Sequence, residues 1–229
     1  MSLILGIETS TKICSVAVSD GEKLLAIEEE GGEYSHSEKL TVFIQKVLDR
    51  AGLQLKDVDA VAVSKGPGSY TGLRIGVSVA KGLCYALDKP LIAVDTLQAM
   101  AKNVAILDGS SDSLYSPMID ARRMEVYTAL YDDENNSVTP ITAKIIDENS
   151  FSEALIDQKI IFFGDGAEKC AEALDKNSNA TFIDQGLPSA EFVNQIAFDK
   201  YQNQEFEDVA YFEPYYLKDF VATTPKKLP

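Results

Sequence analysis

The stretch KGPGSYTGLRIG, residues 65–76, follows a short apolar run and precedes a helical pattern. A proline between two glycines favours a tight turn, so we predict a strand at 58–63 and a helix at 71–87 with Thr71 as its N-cap. Backbone N–H groups at a helix start can bind an anion. No Lys-Ser or Lys-Thr follows the last glycine, so this is not a Walker P-loop. Two interpretations stay open: an anion or nucleotide site, and a tight connection without ligand. The candidate residues are Gly66, Gly68, Ser69, Thr71 and Arg74.

Outward from this stretch, the first 107 residues predict the order β-β-β-α-β-α-β-α. Apolar runs indicate strands at 3–9, 14–19 and 24–30, and Asp20-Gly21 indicates a hairpin between the last two. Ser35 or Ser37 can cap a helix that ends near Gly52. A strand at 91–94 and a helix at 96–106 complete this part.

The second part of the chain is also predicted to be mixed α/β. Polar residues 108–113 are the best linker candidate, which divides the chain into domains 1–107 and 108–229. We expect strands at 115–119, 124–131 and 160–163, a further element at 138–146, and helices at 167–174 and 189–201. The tail of the second domain is expected to pack back on the first, with residues 223–229 loose at the end.

Composition excludes several classes of function. The chain carries 21 Lys and Arg against 36 Asp and Glu, a formal charge of -15, of which -12 falls after residue 100. Such a chain repels phosphate backbones, so we do not expect it to bind nucleic acid on its own. Three isolated cysteines and one histidine rule out a two-histidine metal site, so no metal site is predicted. With no secretion signal and no run of 18 apolar residues, we expect a cytoplasmic protein without membrane contact.

Small residues recur along the helix predicted at 71–87. Gly72, Gly76 and Ala80 lie at i, i+4 and i+8, so one helix face is nearly flat. Each glycine costs about 1 kcal/mol relative to alanine in a helix, so close packing must offset it. That packing can be made within the domain or by a helix of another subunit, and the sequence alone leaves both open.

Polar residues after the first strand form a second candidate site. Glu8, Ser10 and Thr11 offer a carboxylate and hydroxyls that can hold phosphate or a metal-bound water, although ordinary turn chemistry explains them equally well. Arg74 opposes the helix dipole, which suggests an anionic partner: a ligand phosphate or a carboxylate such as Glu8. A solvent-facing arginine is the remaining alternative.

Two further groups of polar residues carry no catalytic pattern. His36 is expected in a capping region or at the surface. Around a predicted hairpin, Asp120, Arg122, Arg123 and Glu125 can pair among themselves. No GxSxG motif is present, and catalysis by this chain alone is poorly supported.

Five motifs taken together resemble the bacterial TsaB (YeaZ) family. They are ILGIETSTKICSVAVSDG, YSHSEKL, GPGSYTGLRIG, MIDARRMEVY and FGDGAEK, and the closing PYYLKD is also similar. The resemblance covers nearly the whole chain. It implies a two-lobed α/β fold of the actin-like ATPase (ASKHA) superfamily, each lobe a mixed sheet with helices and a β-β-β-α-β-α core.

The resemblance also implies a function. TsaB is a non-catalytic accessory subunit for its paralogue TsaD, which forms N6-threonylcarbamoyladenosine (t6A) at position 37 of tRNAs that read ANN codons. The implied partners are TsaD in a heterodimer, the ATPase TsaE, a second copy when the chain is alone, and tRNA only through the complex. No cofactor is expected on this chain itself, although ATP or ADP could lie at the complex interface. The resemblance places the TsaD interface on the first lobe's helices, at Leu40, Phe43, Val47, Gly72, Ile75, Gly76, Val79, Ala80 and Leu83.

Departures from the catalytic paralogue bear on activity. TsaD uses a His-x-x-x-His pair for its metal, whereas this chain has His36 followed by Leu40. Glu8 stands where actin-like ATPases have aspartate. Two enzymatic alternatives remain for comparison: an actin-like small-molecule kinase or ATPase acting alone, and a metalloprotease.

Overall fold

A computed structural model describes residues 2–32 and 36–218. Its first five strands form one mixed sheet in the order β3-β2-β1-β4-β5, in which β1 pairs antiparallel with β2 and parallel with β4. The predicted order of elements over the first 107 residues is confirmed. The elements are β1 (Leu3–Glu8), β2 (Ile13–Asp20), β3 (Lys23–Gly31), α1 (His36–Ala51), β4 (Ala60–Gly66), α2 (Tyr70–Leu87), β5 (Leu91–Asp95) and α3 (Thr96–Asp108).

The second half forms another five-stranded mixed sheet, in the order β10-β9-β6-β7-β8. Together the two sheets and their helices make the two-lobed α/β architecture that was expected. No helix in the described residues is long and apolar enough to cross a membrane. The elements are β6 (Ser113–Asp120), β7 (Glu125–Thr128), β8 (Thr142–Ile145), α4 (Ala154–Asp157), β9 (Lys159–Phe163), α5 (Ala171–Leu174), β10 (Ala180–Phe182) and α6 (Ala190–Gln202).

Strand β1 lies at the centre of the first sheet and is buried on both faces. Leu5 and Ile7 pack in a core cluster with α1 and α2, whereas Ile4 packs on the opposite face with α3 and α6. An apolar run without polar alternation is typical of such a doubly covered strand. The sheet therefore carries α1 and α2 side by side on one face, with their outer surfaces exposed.

Several predicted elements of the second half are too long. The strand predicted at 124–131 ends at Thr128, and the segment at 138–146 is a strand only over Thr142–Ile145. Val138 and Thr139 both donate to the Leu130 carbonyl, and Pro140 has no N–H to continue a ladder. The helix predicted at 167–174 is a 3₁₀ turn followed by the short α5. Strand β10 and helix α4 were not predicted.

The N-cap of helix α2 lies two residues earlier than predicted. Its N-cap is Ser69, whose Oγ accepts a hydrogen bond from the Gly72 N–H, so the prediction that Thr71 caps the helix is wrong. Of the two candidate caps for α1, Ser37 lies inside the helix and Ser35 lies outside the described residues.

The segment after α6 runs along the first sheet. Glu207 N donates to the Leu91 carbonyl over 2.9 Å, and Tyr215 N donates to the Lys65 carbonyl over 2.7 Å. Phe212 packs against the core cluster to which α1 and α2 contribute. The domain boundary at 107/108 stays a prediction, and residues 223–229 lie outside the described part of the chain.

Two glycines of α2 give a matched test of this packing. A Cβ at Gly72 would lie 2.0 Å from the Thr9 carbonyl oxygen, whereas a Cβ at Gly82 has no atom within 4 Å. We expect Gly72→Ala to lower the free energy of unfolding by about 1–3 kcal/mol, because a backbone atom must move. Gly82→Ala should raise it by about 0.5–1 kcal/mol through helix propensity. Urea unfolding followed by circular dichroism measures both, and equal effects would contradict the packing described.

Candidate functional site

The turn after β1 and the glycine loop after β4 lie directly against each other. Ser69 N donates to the Ser10 carbonyl over 2.6 Å, and Thr9 Oγ1 donates to the Gly72 carbonyl over 2.8 Å. A Cβ at Gly68 would come within 2.2 Å of the Ser10 carbonyl oxygen. We call residues 8–10 and 66–72 the turn–loop junction. Glycine is needed in its loop because another stretch of backbone occupies the space of a side chain.

The N–H groups expected to bind an anion are largely engaged within the junction. Ser69 N donates to Ser10, Gly72 N to the Ser69 hydroxyl, and Leu73 N to the Ser69 carbonyl. The structure thus brings Ser10, Gly68 and Ser69 together as partners of one another. The side chains of Ser69 and Thr71 are exposed at the edge of the junction. An anion site here stays a prediction.

Glu8 is the buried acid of the junction, with no exposed surface. Its carboxyl accepts a hydrogen bond from Ser10 N over 2.5 Å, and the Ser64 hydroxyl donates to its other oxygen. Burial raises the pKa of Glu8 above its ordinary value, and hydrogen bonds from the two serines only partly oppose this. The carboxyl therefore joins the ends of β1 and β4, and a solvent-borne ligand has no direct access to it.

Thr11 and His36 form a separate contact beside the junction. The Thr11 hydroxyl accepts from Ile13 N over 3.3 Å, and the His36 Nε2 donates to the Thr11 carbonyl over 2.8 Å. A carbonyl can only accept, so this nitrogen carries a proton. The structure therefore places Thr11 against the start of α1. Across the described residues, no three His, Cys, Asp or Glu side chains are placed to hold a metal ion.

Arg74 binds a partner that the sequence did not suggest. Its Nε donates to the Tyr216 hydroxyl over 3.2 Å, and its guanidinium lies 4.2 Å from the centre of the Tyr70 ring. The hydrogen bond to Tyr216 raises the pKa of this exposed arginine. The alternative of a pair with Glu8 is wrong, because that carboxyl is fully buried among serines. Tyr70 lies four residues before Arg74, and that spacing is a signal for stacking on a helix surface.

The nine residues predicted at a subunit interface fall into two groups. Leu40, Phe43, Val47 and Ala80 are buried in the core of the first lobe. Gly72 and Gly76 face Thr9 of the same chain; a Cβ at Gly76 would lie 2.3 Å from its Oγ1. Packing inside the chain therefore explains the stripe of small residues.

The second group keeps part of its surface open. Its members are Ile75, Val79 and Leu83, which are half-buried at i, i+4 and i+8 along α2. The predicted interface remains a prediction, and the exposed side of α2 is where it can be tested.

The hairpin between β6 and β7 pairs its charges differently from the prediction. Lys169 Nζ lies 2.6 Å from Asp120 Oδ1, and Lys218 pairs with Glu125. Burial opposes ionisation of Asp120, but hydrogen bonds from Lys169 and from the Arg122 amide outweigh it, so the pKa of Asp120 is lowered. The two carboxylates thus bind lysines from elsewhere, and the expectation that they pair with the neighbouring arginines is wrong.

Comparisons with known proteins place these features in a class. The two mixed sheets with their helices define a two-lobed, actin-like α/β fold. The activator of the 2-hydroxyisocaproyl-CoA dehydratase from Clostridium difficile shares this fold at a TM-score of 0.53 and 10% identity, covering 90% of this chain and 98% of that chain. The model of the family TsaD, tRNA N6-adenosine threonylcarbamoyltransferase, matches residues 30–226.

Closer similarity is found to proteins named TsaB and YeaZ. The Escherichia coli tRNA threonylcarbamoyladenosine biosynthesis protein TsaB is 33% identical over 233 residues, which cover 99% of this chain and 98% of the relative. YeaZ from Pseudomonas aeruginosa superposes with a TM-score of 0.82 at 27% identity, over 95% of this chain and all of that one. The chain belongs to the TsaB (YeaZ) family.

Replacing Glu8 tests whether its carboxyl is buried. In the folded state the pKa of Glu8 is raised above 4.5, so above pH 4.5 the folded protein holds this proton longer than the unfolded chain does. The free energy of unfolding therefore falls as the pH rises from that value. Glu8→Gln keeps the shape and the hydrogen bonds of a protonated carboxyl. We expect the variant to lose less free energy of unfolding between pH 4.5 and pH 8 than the parent. Urea titrations at both pH values measure this, and the same pH dependence in both proteins would contradict the assignment.

Proposed function

We propose that this chain takes part in forming t6A in tRNA as a non-catalytic subunit that supports TsaD. The observation that carries the proposal is the match over nearly the full length to relatives named tRNA threonylcarbamoyladenosine biosynthesis protein TsaB. The matching TsaD-type family model supports a common architecture for the two subunits. Within this proposal the tRNAs are those that read ANN codons, modified at position 37, and the complex includes TsaE.

The turn–loop junction supports the non-catalytic part of the proposal. Glu8 is fully buried, and its two oxygens accept from Ser10 and Ser64. A group that activates water or orders a metal-bound water must lie within hydrogen-bond reach of the reacting atoms. Glu8 has no open side from which a substrate could approach, so its carboxyl lies outside that reach.

The outer surface of α1 and α2 supports a helical docking site for TsaD. Ile75, Val79 and Leu83 keep part of their apolar surface open along α2, Val42 of α1 is 49% exposed, and Tyr85 is 87% exposed. Apolar side chains spaced along adjacent helices are typical of surfaces that bind another helix pair. In the absence of TsaD, a second copy of the chain would cover the same surface. ATP or ADP, if bound, would lie at the boundary with TsaD, near the exposed Ser69 and Thr71.

Omission of the chain tests the function directly. Unmodified tRNA is incubated with radiolabelled threonine, TsaD, TsaE and the threonylcarbamoyl-AMP synthase, with and without this chain. We expect incorporation to fall at least ten-fold on omission, because TsaD would lack its supporting subunit. Equal incorporation would overturn the proposal. ATP turnover by the isolated chain, lost in Glu8→Gln, would favour a kinase or ATPase acting alone.

A charge placed on the exposed side of α2 tests the docking surface. Gly82 is exposed, and no atom lies within 4 Å of a Cβ built there, so Gly82→Arg should fold normally. We expect it to reduce capture of TsaD more than ten-fold, because a guanidinium would be buried among apolar side chains. The matched control is Ile106→Arg, on α3 at the opposite face of the sheet, where Ile106 is 55% exposed. Equal capture of TsaD by both variants, measured by pull-down, would place the interface elsewhere.

A further inference from the structure

Two adjacent arginines lie at the tip of the β6–β7 hairpin. Arg122 and Arg123 are both exposed, with φ values of 74° and 48°. Within residues 2–32 and 36–218, neither guanidinium has a hydrogen-bond or ion-pair partner. We call residues 120–125 the arginine turn. The left-handed backbone region is unfavourable for residues with a Cβ, so the fold holds these side chains in a conformation that local sterics oppose.

The nearby carboxylates are already engaged by other donors. Asp120 accepts from Lys169 over 2.6 Å and from the Arg122 amide over 2.7 Å, while Glu125 pairs with Lys218. The carboxylate of Asp165 accepts a hydrogen bond from the backbone N–H of Asp120 over 2.9 Å. None of the three therefore neutralises an arginine, and among the described residues no partner occupies the five donors of either guanidinium group.

The charged groups named at the arginine turn include more cations than carboxylates, in a strongly negative chain. Lys12, from the first lobe, lies close enough to act electrostatically on Asp120 and Asp165. With Lys169, Lys218 and the two arginines it makes five cations against the three carboxylates named above. The chain after residue 100, which contains the turn, has a net charge of -12. The acidic surface elsewhere on the chain would repel a polyanion, so a polyanion would approach only at a local group of cations. The two exposed arginines provide such a group and therefore indicate a polyanionic partner.

We propose that the arginine turn binds phosphate groups of an RNA backbone. The proposal rests on the proposed function, in which the complex acts on tRNA. Guanidinium groups bind phosphate oxygens in bidentate fashion. The turn lies at the end of a hairpin, where both arginine side chains are exposed. A projecting turn with two neighbouring cations fits successive phosphates of a polymer better than an enclosed small molecule.

The proposal is tested with the assembled complex of this chain and TsaD. Glycine adopts positive φ readily, so the double variant Arg122→Gly/Arg123→Gly should fold at least as stably as the parent. Its matched control is Lys56→Gln/Lys159→Gln, which removes two exposed cations distant from the turn; Lys159 begins β9, at the opposite end of the second sheet. Unmodified tRNA is titrated by fluorescence anisotropy over a range of salt concentrations.

We expect the glycine variant to bind tRNA about ten-fold more weakly or worse. The slope of log K against log salt should decrease in magnitude by about 1.4–1.8, since each lost phosphate contact removes about 0.7–0.9. Arg122→Lys/Arg123→Lys keeps the charges, so it should retain most of the slope while losing bidentate geometry. The lysine-to-glutamine control should change neither the affinity nor the slope by a comparable amount.

Two outcomes would overturn the proposal. An unchanged affinity and slope in the glycine variant would show that the turn does not contact RNA. Loss of TsaD capture by the same variant would assign the arginines to a protein surface. The parent complex is first scored for threonine incorporation, so a failure of the proposed function appears in the parent before any variant is compared.

Discussion

The close approach of the turn after β1 to the glycine loop after β4 constrains the whole first lobe. Parallel neighbouring strands end at the same edge of a sheet, so the two loops must share one space. Gly68 and Gly72 make this possible, because a Cβ at either position would lie within 2.2 Å of a carbonyl oxygen of Ser10 or Thr9. The hydrogen bonds across the junction satisfy polar groups that are removed from water there. They also fix the start of α2, and hence the surface that α1 and α2 present outward.

Because of this constraint, the polar residues at the turn–loop junction bind one another, and the residues left open to a partner lie on the outer surface. The polar residues that looked most like a ligand site, Glu8, Ser10 and Ser69, are partners of one another in the junction. The features left open are surfaces: the half-buried apolar row on α2 and the arginine turn at the hairpin tip. The proposed docking of TsaD and the proposed contact with RNA rest on these two surfaces.

Sequence patterns were reliable where a segment is covered on both faces. The elements of the first lobe were placed within about three residues, because a central strand such as Leu3–Glu8 is a continuous apolar run and α1 buries a regular stripe. The second lobe was less predictable. Its segment at 138–146 reads as extended, but Pro140 and two donors to one carbonyl interrupt the ladder. The cap of α2 was misplaced because Ser69 and Thr71 are both good capping residues, and only the loop's path selects between them.

By itself, the sequence determined the class of fold, the family and the tight glycine turn after β4, since local apolar patterns and glycine spacing act over short ranges. Tertiary structure alone decided the partners of those residues. Arg74 donates a hydrogen bond to Tyr216, which is 142 residues away in the sequence. Asp120 binds Lys169, 49 residues away, and not the side chains of the neighbouring arginines. A polar side chain is free to bind a ligand only where the fold places no hydrogen-bond partner from a distant part of the chain beside it. In this protein the fold satisfies Glu8 and leaves Arg122 and Arg123 exposed.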